Sequence, residues 1–90
     1  MAINFTISTR RKNNKLYIDL KGDFDRSSAH LLLNVLRKNS DSEDKIYVDT
    51  NGLRLVSPFS LEIMKRNLTE LKDKSANIIF VGKYGTTISP

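Results

Sequence analysis

The sequence predicts an α/β domain with a mixed, mostly parallel four-stranded sheet and elements in the order β-β-α-β-α-β. Three observations predict this class: two alternating segments near the amino terminus, two amphipathic helical segments, and short apolar segments before and after the second helix. Strands connected through helices should run parallel, whereas a first strand joined by a tight turn should run antiparallel. We expect the 90 residues to form one domain, 1–90, with 82–90 as a tail.

The first two strands are predicted to form a hairpin. Apolar residues alternate with polar ones from Ile3 to Ile7 and again from Leu16 to Leu20, with Asn13-Asn14 suited to the turn between them. The polar segment Lys21-Gly22-Asp23 is expected to end the second strand.

The first helix is expected to begin after a cluster of capping residues, Asp25, Ser27 and Ser28. Its apolar positions recur at helical spacing and predict a buried stripe. Two further residues widen that stripe and predict contact on two sides. The stripe is Ala29, Leu32, Leu33 and Leu36, and the widening residues are Leu31 and Val35.

The third strand and second helix form the unit around which the rest of the chain is organised. Ile46–Val48 predicts an apolar strand, Asp49–Gly52 a polar turn, and Leu53–Val56 a second apolar segment. Ser57 is expected to cap the next helix, with Pro58 at its first position, where a missing N–H costs nothing. The core face of this helix is predicted to carry Leu61, Met64, Leu68 and Leu71.

Asn77–Val81 predicts a fourth strand. Its continuous apolar run fits an interior position buried on both faces.

Composition and charge exclude some kinds of functional site and leave others open. Fifteen basic and ten acidic residues give a net charge of +5, and the chain has no cysteine, which excludes disulfides and thiolate sites. The basic cluster Arg10-Arg11-Lys12, with Lys15 nearby, is interpreted as a solvated turn. Docking to an acidic partner and contact with phosphates are the alternatives. No apolar run reaches the ~20 residues of a membrane span and no signal-peptide core is present, so we expect a soluble, cytoplasmic protein.

The sequence contains no pattern typical of catalysis. His30 has no second ligand or nucleophile at a suitable spacing, and the phosphate-loop, dinucleotide and zinc-protease motifs are absent. Asp19, Asp23 and Asp25 are interpreted as strand-end and capping residues, and the tyrosines appear too scattered for a base-stacking platform. We therefore expect no enzyme activity, no metal and no cofactor.

The chain resembles the STAS domains of bacterial anti-sigma factor antagonists. Leu16 to Asp25 is similar to that family's opening strand and Gly-x-[Leu/Phe]-Asp segment, and Ile46–Thr50 with Leu53–Val56 to its third strand and loop. The resemblance extends over Ile3–Gly82. It implies a SpoIIAA-like fold, shortened at its carboxyl end, and a protein-protein interaction module of bacterial signal transduction and transcription regulation. It implies as partner an anti-sigma factor that is also a serine kinase, or another regulatory protein.

The family's phosphorylated serine does not carry over. In the family the helix start reads Asp-Ser-[Ser/Thr]-Gly-Leu, but an ungapped alignment on Leu61 places Pro58 at the switch position. Phosphorylation of the neighbouring Ser57 or Ser60 is a hypothesis, and the module is expected to work without the switch. By resemblance, the partner-binding residues are Asp49, Thr50, Asn51, Leu55, Ser57, Pro58, Phe59, Ser60, Glu62, Lys65 and Arg66.

Three further hypotheses stay open. A STAS-like chain could be an accessory subunit of a transport or lipid-trafficking complex. A nucleic-acid-binding domain that uses the Arg10–Lys15 turn is the least favoured of the three, because the net charge of +5 is its only support. If the shortened carboxyl end makes the fourth strand a sheet edge, the chain is expected to self-associate through it.

Overall fold

A computed structural model describes residues 4–39, 45–71 and 77–88. Within them, a four-stranded sheet has the order β1-β2-β3-β4, with β1 antiparallel to β2 and the other pairs parallel. This confirms the predicted class and the β-β-α-β-α-β order. The elements are β1 Phe5–Lys12, β2 Lys15–Phe24, α1 Arg26–Asn39, β3 Lys45–Val56, α2 Pro58–Glu70, β4 Ile78–Val81 and a short carboxyl-terminal helix, α3 Gly85–Ile88.

The core lies on one face of the sheet. Alternate residues of β2, β3 and β4 point to that face and form one buried cluster with the apolar stripes of α1 and α2. Successive crossovers of one hand, in a sheet ordered 2-3-4, place both helices on the same side. The cluster is Leu16, Ile18, Leu20, Phe24, Ala29, Leu32, Leu33, Leu36, Ile46, Val48, Leu53, Met64, Leu68, Ile78 and Ile88.

The hairpin turn follows from its two asparagines. Asn13 and Asn14 have φ of 53° and 64°, and the flanking Lys12 and Lys15 are paired in register. A two-residue turn with both φ values positive matches the twist of the strands, and asparagine tolerates this conformation better than most residues. The predicted hairpin is confirmed.

The second strand was predicted to end at Lys21-Gly22-Asp23, but it continues to Phe24. Gly22 has φ of +99°, and a Cβ there would lie 1.5 Å from the Asn4 carbonyl oxygen. The Asp23 N–H donates to that same oxygen at 2.9 Å. The glycine therefore lets the backbones approach and keeps the strand paired.

The predicted turn at Asp49–Gly52 is also strand, since β3 runs without interruption to Val56. Lys21 pairs with Gly52 and Phe24 with Val56, with register shifts between Asp19 and Lys21 and between Gly22 and Asp23. Those irregularities are β-bulges, which absorb the extra residues while the strands remain paired. Local turn chemistry was outweighed by pairing with the extended β2.

α1 begins at Arg26, earlier than predicted, so that only Asp25 of the three candidate caps precedes it and Ser27 and Ser28 lie in its first turn. The Asp25 carboxylate accepts from the Ser28 N–H at 2.9 Å, and the predicted stripe is fully buried. The widened stripe was wrong at Leu31, whose side chain is 49% exposed, because no described element covers that side of the helix.

β4 is an edge strand among the described residues, so the predicted interior position was wrong. Only Ile78 is buried, while Ile79 and Phe80 are half-buried and Val81 is exposed. The expected tail is partly structured, since α3 places Ile88 in the core. The predictions for Ile3 and for the residues at 40–44, 72–76 and 89–90 lie outside the described residues.

Two residues of β3 hold the turn that precedes α3. The Thr50 hydroxyl donates to the Val81 carbonyl at 2.7 Å and accepts from the Tyr84 N–H at 2.9 Å. The Asn51 side-chain oxygen accepts from the Lys83 N–H at 2.9 Å.

Candidate functional site

The amino terminus of α2 is capped as the sequence predicted. Ser57 has φ −79° and ψ 151°, and its hydroxyl accepts from the Ser60 N–H at 3.1 Å. Pro58 occupies the first turn. The Ser60 hydroxyl donates to the Ser57 carbonyl at 2.7 Å, so the two serines are bonded to each other's backbone.

A groove of about 380 Å³ lies between α1 and α2, beside this helix start. Its side chains come from both helices and combine an aromatic ring, an aliphatic residue, two guanidinium groups, an imidazole, a carboxylate and an amide. We call it the α1/α2 groove; it is lined by Arg26, His30, Phe59, Glu62, Ile63, Arg66 and Asn67.

Phe59 is the most exposed large apolar residue among those described, at 62%. The guanidinium carbon of Arg26 lies 5.4 Å from the centre of its ring, within cation–π distance. At the other end, the Arg37 guanidinium donates to the Asn67 side-chain oxygen at 2.7 Å, which joins the two helices. A hydrogen bond between the helices therefore lies at one end of the groove, and the exposed Phe59 ring lies at its mouth.

The groove has an excess of positive charge. Arg26 and Arg66 stand against one carboxylate, Glu62, which lies 3.6 Å from Arg66 with both side chains largely exposed. An exposed pair of this kind contributes about 0–1 kcal/mol and leaves the side chains free to rearrange. The surface is suited to a partner that offers an apolar side chain and an acidic group.

The predicted partner-binding residues differ in their exposure. Pro58, Glu62, Lys65 and Arg66 are exposed on α2, and Leu55 and Phe59 are exposed apolar side chains at 45% and 62%. Ser57 is half-buried. Thr50 and Ser60 are fully buried, with hydroxyls occupied inside the domain, so they offer no surface to a partner.

The structure does not bring Asp49 and Asn51 to the helix start. Asp49 lies on the sheet face opposite the helices and accepts from the Asn51 N–H at 2.9 Å. Asn51 in turn holds the turn before α3. These side chains stabilise local backbone, and we leave them out of the candidate site.

Sequence reasoning missed the α1 side of the groove. Arg26 and His30 are one helical turn apart on the polar face of α1, with Arg37 further along it. That spacing was visible, but which polar face meets α2 is decided by packing in three dimensions. His30 is exposed and lines the groove.

The acidic residues near the strand end are structural. Both Arg54 nitrogens Nε and Nη2 donate to the Asp23 carboxylate, at 2.9 and 2.8 Å, and this hydrogen bonding lowers the pKa of Asp23. The Ser28 backbone N–H lowers the pKa of Asp25 in the same manner. In the described part of the chain, no group of three or more His, Asp or Glu residues is placed to hold a metal ion.

The sheet face opposite the helices carries a second arrangement, which the sequence did not predict. Tyr17 and Tyr47 are not scattered: their rings stack with centres 5.3 Å apart and planes 12° apart. The Arg10 guanidinium lies 5.2 Å from the Tyr17 ring centre. Register pairing brings these residues together on adjacent strands, although they are far apart in sequence.

Three solved structures share the fold. An anti-sigma factor antagonist from Mycobacterium paratuberculosis superposes with a TM-score of 0.71 at 15% identity, over 97% of this chain and 75% of that one. A STAS-domain anti-sigma factor antagonist from Rhodobacter sphaeroides gives 0.69 at 10% identity, over 100% of this chain and 96% of that one. A protein described as Mglu gives 0.68 at 9% identity, over 81% of this chain but only 18% of that one.

The chain therefore has a STAS-like, SpoIIAA-like fold. No protein-family model matches the sequence, and comparison with curated proteins finds no match either. None of the helices in the described ranges is long and apolar enough to span a membrane.

Proposed function

We propose that this chain is a non-catalytic protein-interaction module that binds a regulatory protein of the anti-sigma factor type through the α1/α2 groove and the neighbouring Leu55. The observation that carries the proposal is the exposure of Phe59, 62%, at the first turn of α2 beside that groove. Burying an exposed aromatic ring on association is strongly favourable, and aromatic and arginine side chains dominate protein interfaces. The fold shared with two anti-sigma factor antagonists supports the class of partner.

The module works without a phosphorylation switch in this proposal. Pro58 has no hydroxyl, the Ser60 hydroxyl is buried, and the Ser57 oxygen accepts the capping hydrogen bond. A kinase would have to open the first turn of α2 to reach Ser60, and phosphorylation of Ser57 would alter the oxygen that caps the helix. The helix start then acts as a constant docking surface, whose affinity is set by side chains and not by a modification.

The partner is identified by placing the photo-crosslinker p-benzoylphenylalanine at position 59 in the native host. The same crosslinker at Leu31 is the control, because Leu31 is also exposed but does not line the groove. We expect position 59 to yield a specific product with a regulatory protein and position 31 to yield none. A permease or transport ATPase as the product would favour the accessory-subunit hypothesis instead.

Binding of the purified partner then tests the groove. Phe59→Ala should weaken binding by about 2 kcal/mol, roughly thirtyfold, because a central aromatic anchor is lost. Leu31→Ala should leave the affinity within about twofold, since an exposed residue outside an interface contributes little. Isothermal titration calorimetry on both variants measures the difference, and equal affinities would refute the assignment of the groove.

A further inference from the structure

The sheet face opposite the helices is uncovered by any described element and carries three parallel rows of side chains, which we call the open sheet face. The rows follow from the register of adjacent strands and from the alternation of side chains within each strand. The first row is Lys12, Lys15 and Lys45; the second is Arg10, Tyr17, Tyr47 and Ile79; the third is Ser8, Asp19, Asp49 and Val81.

No contact within the described part of the chain accounts for the lysine row. Lys12 pairs with Lys15, and Lys15 with Lys45, so three like charges stand side by side on neighbouring strands. Like charges in direct cross-strand pairs destabilise a sheet. The described ion pairs, Arg54–Asp23 and Arg66–Glu62, include none of these lysines. Among the described residues the row repels itself and no carboxylate forms an ion pair with it, so it is suited to an external polyanion.

The tyrosine row lies next to the lysines. Arg10, Tyr17 and Tyr47 form a continuous cation–π and ring stack, and Ile79 continues the row on β4. Alternate residues of a strand are about 6.6 Å apart, so a phosphate on the lysine row would place its base over this stack. Aromatic and guanidinium groups are the usual supports for unpaired bases.

The carboxylate row favours nucleic acid over an acidic protein as the ligand of this face. Asp19 and Asp49 pair across β2 and β3, one row beyond the tyrosines. They would repel an acidic peptide lying along the face. For a nucleic acid they lie beyond the phosphates, where carboxylates accept hydrogen bonds from exocyclic amino groups of bases.

From these three rows we propose that the open sheet face binds a short segment of single-stranded nucleic acid. The lysines contact phosphates, and the two aspartates accept from base amino groups. Bases pack against the exposed edges of the Arg10–Tyr17–Tyr47 stack, because the two ring faces are turned to each other and to the guanidinium. Duplex DNA does not fit this arrangement, because paired bases are not free to pack against protein side chains or to offer their amino groups to the aspartates. The proposal is independent of the α1/α2 groove, which lies on the other side of the helical layer.

Fluorescence anisotropy with labelled octanucleotides of cytidine, uridine and their deoxy forms, at about 150 mM ionic strength, tests the proposal. We expect cytidine oligomers to bind more tightly than uridine oligomers, because uracil has no exocyclic amino group. Comparison of the ribose and deoxyribose forms distinguishes RNA from DNA. A plot of the logarithm of the binding constant against the logarithm of the salt concentration should have a slope of about −2, because each of three phosphate contacts contributes about −0.7.

Matched variants distinguish binding at the lysine row from general attraction of nucleic acid to a basic protein. The triple variant Lys12→Gln, Lys15→Gln and Lys45→Gln should lose at least about tenfold in affinity. A control triple with the same change in charge, Lys38→Gln, Lys65→Gln and Lys83→Gln, alters lysines away from the open sheet face and should bind within about twofold of the unaltered chain. Circular dichroism confirms that each variant is folded.

Tyrosine fluorescence gives a direct measure of stacking, because the chain has three tyrosines and no tryptophan. We expect oligonucleotide binding to quench it, and the double variant Tyr17→Leu and Tyr47→Leu to abolish both the quenching and the preference for cytidine. Equal loss in both lysine triples, equal binding of heparin, or binding only to phosphatidylglycerol vesicles would overturn the proposal.

Discussion

At the scale of single residues, Arg54 and Asp23 form an ion pair that joins two strands. Two nitrogens of the guanidinium donate to two oxygens of the carboxylate, in a bidentate arrangement. The contact connects the bulged part of β3 to β2, where register shifts interrupt the regular pairing. The side chain of Asp23 is 23% exposed and that of Arg54 is 65% exposed, so salt and solvent weaken the pair.

The pair predicts a pH dependence of stability. The pKa of Asp23 is lowered in the folded state, so its carboxylate stabilises the fold fully above the unfolded value of about 3.9, and that contribution is lost as the pH falls through the lowered value. Arg54→Gln should therefore reduce the free energy of unfolding at neutral pH, and its difference from the unaltered chain should vanish in acid.

Urea unfolding at a series of pH values measures the effect. Arg66→Gln is the matched control, because its partner Glu62 is 3.6 Å away and both side chains are exposed. We expect no pH-dependent difference for that control. A loss in Arg54→Gln that stayed constant down to acid pH would show that the arginine stabilises by packing and not by charge.

At the scale of elements, the first turn of α2 is the most local feature of the site. The Ser57 hydroxyl bonds the Ser60 N–H, and Pro58 follows directly, so four consecutive residues specify where the helix begins. Such a cap needs no tertiary information, which is why the sequence predicted it correctly. The same residues hold Phe59 in position at the mouth of the groove.

Removal of the cap should be measurable. Ser57→Ala should destabilise the folded chain by about 1 kcal/mol, because the Ser60 N–H loses its acceptor. Ser57→Asp should stay within a few tenths of a kcal/mol of the unaltered chain, since aspartate also caps and its charge favours a helix amino terminus. Denaturant unfolding compares the two, and equal loss in both would contradict the capping role.

Elements that depend on distant partners were predicted less well. Asp49–Gly52 has the composition of a turn, yet β3 continues through it because β2 also extends and the pair bulges. The run Ile78–Val81 indicated a buried strand, but it lies at the sheet edge. Stacking of Tyr17 on Tyr47 required the register of two strands, and the α1 half of the groove required the orientation of two helices. None of these is encoded within a short window.

At the scale of the whole molecule, the edge formed by β4 leaves one side of its backbone without a described strand partner. Val81, 38% exposed, lies at this edge, and such edges pair readily with other chains. We expect the chain to associate with itself at high concentration through this strand. Val81→Lys should reduce that association, because a charge on an edge strand opposes pairing.

Sedimentation velocity over a range of concentrations measures this. Leu31→Lys is the control, since Leu31 is also an exposed apolar residue but lies on α1, away from the edge. A monomer at every concentration would contradict the expectation. Equal loss of association in both variants would place the contact elsewhere.

All helices of the described chain pack on one side of the sheet. The Cα atoms extend over 30 × 25 × 22 Å. The α1/α2 groove and the open sheet face consequently point in opposite directions, and neither ligand would block access to the other. A chain of this size could then act as a bridge, holding a regulatory protein on one side and a nucleic-acid strand on the other in a single ternary assembly.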